Sequence, residues 1–383
     1  MTTNEKMVNI IKSSFYQKLA ILALFMLVIF ILFIYVINQL DLNRKNCENI
    51  NKNDYKTSVV SINDSSHNLN LRDYYIKAAY NCCCGGNFKN DFVNLCALEN
   101  CIKQGARFLD FEIYSINKEP VVAASSLNTR TYKETYNHIN FNKAMEMVST
   151  YAFSSSFCPN PDDPLILFFR INTNNKSIYN KIAYIINRQF RSSSYDYLLS
   201  SNYGYNNNEN NIGEIPLKNA KKKTIIFVYQ ETDNNLLTDS KLFELTNAIV
   251  TPSTSNSHVK LYREDEVLYA NENNDLVQFN KSKMSIVLPN LNNETNNINY
   301  IKSYDAGCQI VAMSFQNFDA ELQFNNIKFD EENSAFILKP QDLRLTKIII
   351  DQIDPLIQNS WVDNCTPGDH TINFGGTPYN FKV

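Results

Sequence analysis

The sequence predicts an α/β fold built on a parallel, buried sheet, carried behind one N-terminal helix that crosses a membrane. Three observations carry this. Leu19–Ile37 contains no charged residue and is almost purely Leu, Ile, Phe, Val, Met and Ala. From about residue 73 to 345, strand-like runs alternate with runs of helical periodicity. Arg107–Tyr114 alternates, but Leu165–Ile171 and Thr224–Tyr229 are continuous apolar runs, the pattern of strands covered on both faces. Of the 383 residues, 44 % are hydrophobic and 20 % charged, which suits a folded chain of one large or two medium domains. A net charge of −3 gives nucleic-acid binding no electrostatic support. The many asparagines read as compositional bias rather than a functional tract.

At about 1.5 Å per residue, about 19 apolar residues span a bilayer core of about 30 Å. A cleaved leader would be shorter and would end on small residues, and Asn38-Gln39-Leu40-Asp41 offers none. The run is apolar on every side, unlike a helix with one buried face. Residues 1–18 are thus an N-terminal tail and 19–40 an anchor. Lys6, Lys12 and Lys18 precede it, and Arg44, Lys45, Lys52 and Lys56 follow, so the flanking charges do not set its direction. The short leading tail favours a lumenal or external domain. Residues 41–72, rich in Asn, Asp, Ser and Lys, read as a polar stalk.

Arg107–Tyr114 and Pro120–Ala124 read as strands. Met145, Val148, Tyr151 and Ala152 recur at helical spacing, as do Ile178, Ile182, Ile185, Ile186 and Phe190. Leu165–Ile171 and Thr224–Tyr229 are buried-type strands. Ser201–Gly213 lacks periodicity and reads as a surface loop. Residues 231–257 read as a connection between two halves. Leu261–Tyr269, Ser285–Leu288, Gly307–Gln316 and Ala335–Leu338 follow as strands. Residues 346–383 form a C-terminal extension that holds the single tryptophan, Trp361.

The nine cysteines include Cys82-Cys83-Cys84, with Cys96 and Cys101 nearby. Paired C-x-x-C spacing is absent, which argues against zinc. Local disulfides would fit an exported domain, and buried thiols a cytosolic one.

Gly307-Cys308-Gln309-Ile310-Val311-Ala312-Met313-Ser314-Phe315-Gln316, with Phe336-Ile337-Leu338-Lys339-Pro340 and Leu343-Arg344 after it, resembles the Y half of the phosphoinositide-specific phospholipase C catalytic barrel. That family carries G-C-Q-x-V-A-x-N-F-Q and then G-Y-V-L-K-P-x-x-L-R. Gly105-Ala106-Arg107-Phe108-Leu109-Asp110-Phe111-Glu112 is similar to the G-x-R-x-x-E-x-D strand of the X half. Pro164–Arg170 is similar to P-V-I-L-S-L-E. The resemblance covers roughly residues 73–345, with an X-like half at 73–230 and a Y-like half at 258–345. It implies a distorted TIM (β/α)8 barrel with its site at the C-terminal strand ends. The pattern is like the histidine-less forms of large DNA viruses.

Cleavage of a phosphoinositide needs a base for the attacking inositol hydroxyl and an acid for the leaving oxygen. The resemblance implies two histidines for this, with a calcium ion held by carboxylates and an asparagine. Here Tyr80 stands at the first histidine position and Ala124 at the second, and none of the four histidines falls on a motif. A tyrosine with pKa near 10 is a poor proton shuttle at neutral pH, and alanine carries no proton. Asn81, Asp110 and Glu112 keep oxygen ligands, but Arg170 replaces the third carboxylate. A fixed cation there opposes calcium, so no cofactor is expected. Arg170 would pair with Asp110 or Glu112, with Arg107 as a further partner for the carboxylates, or would contact a phosphate directly. Tyr300 could stack on a sugar ring or be a plain loop residue. Lys339 and Arg344 read as supports of the barrel end. Cys82–Cys84 would line the site mouth.

The sequence therefore reads as a membrane-anchored, catalytically inactive phospholipase-C-like protein, with the bilayer as one partner and a phospholipid head group as a candidate ligand. An active phosphodiesterase with a rearranged site and a surface or virion adhesion module are the alternatives.

Overall fold

A computed structural model describes residues 3–53, 55–127, 132–205, 211–231, 235–270, 274–292, 294–346 and 368–382. The chain divides into two units, 1–345 and 346–383. Most of the C-terminal extension, including Trp361, and the middle of the Ser201–Gly213 loop lie outside the described residues. The described part of the second unit is an antiparallel hairpin of two strands, Asp369–Phe374 and Thr377–Lys382.

In the first unit, helix α1 (Thr3–Lys52) runs unbroken from the N-terminal tail through the apolar segment and beyond it. Phe15–Gln39 is long and apolar enough to cross a membrane. The segment read as a polar stalk is thus helical to Lys52, and it is packed. Asn46 and Ile50 are buried, and Cys47 forms a disulfide with Cys96. Its polarity concealed this, because only one narrow face of the helix meets the barrel.

Eight parallel strands close into a barrel: β1 (Tyr74–Ala79), β2 (Phe108–Ile116), β5 (Leu165–Ile171), β6 (Thr224–Tyr229), β7 (Ala248–Pro252), β8 (Val259–Arg263), β9 (Met284–Leu288) and β10 (Ile310–Met313). Pairing of β1 with both β2 and β10 shuts the ring. The hairpin strand β3 (Glu119–Val122) folds back on β2, and β4 (Ile139–Asn140) pairs with β3. β11 (Phe336–Leu338) runs antiparallel along the first half of β1. β7 lies in the stretch read as a connection. Its five residues, Ala-Ile-Val-Thr-Pro, end on proline and are flanked by polar sequence, too short an apolar run to stand out. The strand read at Leu261–Tyr269 stops at Arg263, where Glu264–Ala270 turns into a helix, α5.

The outer helices are α2 (Leu95–Lys103), α3 (Phe141–Tyr151), α4 (Lys176–Phe190), α6 (Asp275–Ser282), α7 (Tyr300–Asp305) and α8 (Ala320–Glu331). Asparagine side chains cap four of them: Asn94, Asn140, Asn175 and Asn299 each accept from a backbone N–H two residues on. A share of the asparagine bias is therefore structural.

The motif strands earn their sequence at the N-terminal end of the barrel. Gln309 is fully buried. Its Nε2 donates to the carbonyls of Arg72 (2.9 Å), Asn280 (2.9 Å) and Lys283 (3.0 Å), and its Oε1 accepts from the Ser285 N–H (2.9 Å). Lys339 Nζ donates to the carbonyls of Asn280 (2.8 Å) and Gly307 (3.3 Å). Gly307 sits at φ +75°, where a side chain is strained. Arg107 is buried at the same end and donates to the Ala152 carbonyl (2.9 Å) and to Asn160. It is therefore not a partner of Asp110 or Glu112. It immediately precedes β2, at the end opposite to theirs, a placement that sequence proximity disguised.

Candidate functional site

Asp110 and Glu112 lie two residues apart on β2 and so face the same side of the sheet. The register with β5 sets Glu112 directly beside Arg170. Arg170, almost wholly buried, lies against both acids. Its Nε donates to Asp110 Oδ1 (2.8 Å) and its Nη2 to Asp110 Oδ2 (2.9 Å), a two-pronged bond. Nη2 also donates to Asn81 Oδ1 (2.8 Å), and Nη1 lies 3.4 Å from Glu112 Oε2.

Asn81 follows the C-terminal end of β1. Its φ of +41° is in the left-handed region that asparagine tolerates. Its own N–H donates to Asp110 Oδ2 (2.9 Å). Glu112 is saturated as well: Oε1 accepts from Tyr114 Oη (2.5 Å) and Asn172 Nδ2 (2.8 Å), and Oε2 from the Ser125 N–H (3.4 Å). Tyr114, Asn172 and Ser125 were not singled out in the sequence. The alternation along β2 could have pointed to Tyr114; the other two come from other segments. Burial pushes the Glu112 carboxyl above its usual range, and Arg170 partly offsets this. Burial works against the charge on Arg170, but Asp110 and Glu112 outweigh it and raise its pKa well above the ordinary value.

The Tyr80 ring is buried, with the Arg170 guanidinium carbon 5.3 Å from its centroid. Burial drives its phenol pKa up, with Arg170 opposing. Ala124 is buried, and its carbonyl accepts the N–H groups of Glu134 (3.0 Å) and Thr135 (3.3 Å). Ala124 is thus tied to the Glu134–Thr135 segment and brings no proton-carrying side chain of its own. Glu134 in turn accepts from Ser126 and Ser125. Tyr300 opens α7, where its ring meets Tyr304 at 5.3 Å. Cys82, Cys83 and Cys84 are buried rather than lining a mouth. Burial raises the thiol pKa of Cys82 and Cys84 well above normal, the reverse of an activated nucleophile.

The structure brings Tyr80, Asn81, Asp110, Glu112 and Arg170 together. A calcium ion does not fit this donor set. Such an ion takes roughly six to eight oxygen ligands, whereas both Asp110 oxygens, Asn81 Oδ1 and Glu112 are already taken by N–H and O–H donors around a guanidinium. Among the described residues, no group of three or more His, Cys, Asp or Glu could hold a metal. Two buried polar atoms, Asn81 Nδ2 at the end of β1 and Ser314 Oγ at the end of the neighbouring β10, have no hydrogen-bond partner.

A family model described as phosphatidylinositol-specific phospholipase C, Y domain, matches residues 234–342. Among solved structures, PLC21 of S. officinalis is similar with a TM-score of 0.59 and 18 % identity, over 78 % of this chain and 41 % of that one. PLC21 of L. pealei gives a TM-score of 0.60 and 17 % identity over the same shares. The chain thus spans about two-fifths of the length of these two structures. No curated protein matches it.

Proposed function

From a chain with the PLC-like fold of the phosphatidylinositol-specific X/Y type, we propose a membrane-anchored barrel that does not hydrolyse phosphodiesters and serves as a binding or structural module. One observation carries this reading. The Arg170 guanidinium occupies the centre of the acidic cluster and takes up its oxygens. Without a metal to neutralise phosphate charge, and with Tyr80 and Ala124 at the proton-transfer positions, neither attack on phosphorus nor departure of the alcohol is assisted. A buried tyrosine with a raised pKa is a weaker acid than a free one, and its basic phenolate form is scarcer at neutral pH.

The fold retains its N-terminal supports, Gln309, Lys339 and Gly307, while its C-terminal end has lost the chemistry. In a barrel of this kind the first end serves stability and the second the reaction. Anchoring follows from Phe15–Gln39. The Cys47–Cys96 disulfide, eight residues past the span, supports a lumenal or external domain, since disulfides persist in oxidising compartments.

A head-group site remains a second reading because of the unpartnered Asn81 Nδ2 and Ser314 Oγ. Both are buried polar groups, which ordinarily have partners. Co-sedimentation with vesicles of differing head groups tests it. Head-group-dependent binding that is lost in Ser314→Ala supports it, and binding indifferent to head group contradicts it.

The principal reading is tested by calorimetric titration of the full chain in detergent with calcium chloride. No saturable binding is expected. Saturable binding that disappears in Asp110→Asn would overturn it.

A further inference from the structure

Helix α1 is continuous from the membrane segment into the barrel's flank, so its direction fixes how the barrel faces the bilayer. Three contacts place its upper part. Asn43 Oδ1 accepts from Asn94 Nδ2 (2.9 Å), Asn46 Nδ2 donates to Asp91 Oδ1 (2.7 Å), and Cys47 is bonded to Cys96. Asp91 and Asn94 belong to the connection that leaves the C-terminal end of β1, and Cys96 to the first turn of α2 that follows. Further along, the chain after α1 descends. Thr57 meets Asp330 at the end of α8, Ser61 Oγ accepts from the Asp162 N–H (3.1 Å), and the Ile62 N–H donates to Asp163 Oδ1 (2.6 Å). Asp162 and Asp163 precede β5, at the N-terminal end of the barrel. The chain therefore enters at the C-terminal strand ends and leaves at the N-terminal ends. The membrane segment projects beyond the former.

We propose that α1 is a rigid strut that holds the barrel with the C-terminal ends of its strands, and the Arg170 cluster among them, toward the bilayer that Phe15–Gln39 crosses. The loop carrying Tyr136 lies in the head-group layer of that bilayer. The partner is the phospholipid surface around the anchor itself.

Eight residues of helix separate Gln39 from Cys47, a rise of about 12 Å. The barrel end is therefore within one head-group layer of the span. Tyr136 reaches into that gap, where its phenol interacts with that of Tyr35, which lies inside the last turns of the span. The same loop exposes Leu127, Tyr132 and Tyr136. Tyrosines at that depth suit an interface, where the ring meets acyl chains and the hydroxyl meets water. No hinge interrupts the strut: α1 contains no proline or glycine, and the disulfide pins it about three turns past Tyr35.

This inference rests on the anchor reading, and its test separates the two. The full chain carrying Trp361→Phe is reconstituted in phosphatidylcholine vesicles, and single probes are introduced by Leu127→Trp, Tyr136→Trp or Phe157→Trp. Phe157 lies in the α3–β5 connection at the opposite end. Lipids brominated near the head group should quench the probes at 127 and 136 several-fold more than the probe at 157. Equal quenching at all three positions, or stronger quenching at 157, in protein that resists alkaline carbonate extraction overturns the orientation alone. Release by carbonate overturns the anchor and the orientation with it.

Discussion

Arg170 is a cation surrounded by acceptors, and each of its acceptors depends on it. Replacing it with an apolar side chain leaves Asp110 and Glu112 buried without a counter-charge, which costs about 3–5 kcal/mol when one partner of a buried pair is removed. Arg170→Met is therefore expected to lower the unfolding midpoint markedly. The deficit should shrink as pH falls from neutral toward 5. With the cation gone, the folded pKa of Glu112 rises further above its unfolded value, so protonation favours the folded form and stability is lost as pH rises. A deficit independent of pH would contradict the pairing. Asp163 offers a second test of the same kind. It is fully buried and accepts from the Ile62 N–H and from Asn160 Nδ2 (2.7 Å), and burial raises its carboxyl from 3.8 to about 6. A raised acid stabilises below its unfolded pKa and loses that contribution as pH climbs through the folded one. Between those two values the change is worth roughly 3 kcal/mol. Against Asp163→Asn, the native protein should lose midpoint as pH rises from about 4 to about 6. Parallel pH curves for the two proteins would refute the assignment.

Elements differ in how far their sequence announces them. Strand β5 is a continuous apolar run closed by Pro164 and Asn172, so its limits are plain. β10 and β11 are legible because Gly307-Cys308-Gln309 and Leu338-Lys339-Pro340 stand in order, and Gln309 and Lys339 bond backbone carbonyls at the N-terminal end. The opposed charges of Asp110, Glu112 and Arg170 are also readable as residues, although only the β2–β5 register makes them neighbours. Other parts depend on distant contacts that no local pattern carries. β7 is too short, Arg107 points to the wrong end of β2 for a charge partner, and the helix beyond Gln39 is held by Cys96 and Asp91, more than forty residues away. Gln309 shows the strength of the legible part. Gln309→Leu takes the side-chain donor from the Arg72 and Lys283 carbonyls and the acceptor from the Ser285 N–H, while the Asn280 carbonyl keeps Lys339, at about 1–3 kcal/mol for each buried group left unpaired. A fall in stability of several kcal/mol is expected, with no shift in the spectroscopic signature of secondary structure at low temperature. A neutral substitution would mean that Gln309 is not the tie at that end.

At the scale of the whole molecule, helix α1 and the barrel belong to one unit, and the Arg170 cluster fills the C-terminal end of the barrel where a phosphodiesterase of this fold would place its chemistry. The scaffold is complete: eight parallel strands, a closed ring and saturated N-terminal ties. The Arg170 cluster lies at the C-terminal ends of β1, β2 and β5. Fold alone does not convey activity, which depends on the groups at the site. The measurement that bears most directly on this account is the release of inositol phosphate from phosphatidylinositol vesicles by the full anchored chain, with and without calcium. The account predicts release no faster than from vesicles alone in either condition; calcium-stimulated release that Glu112→Gln abolishes would contradict it.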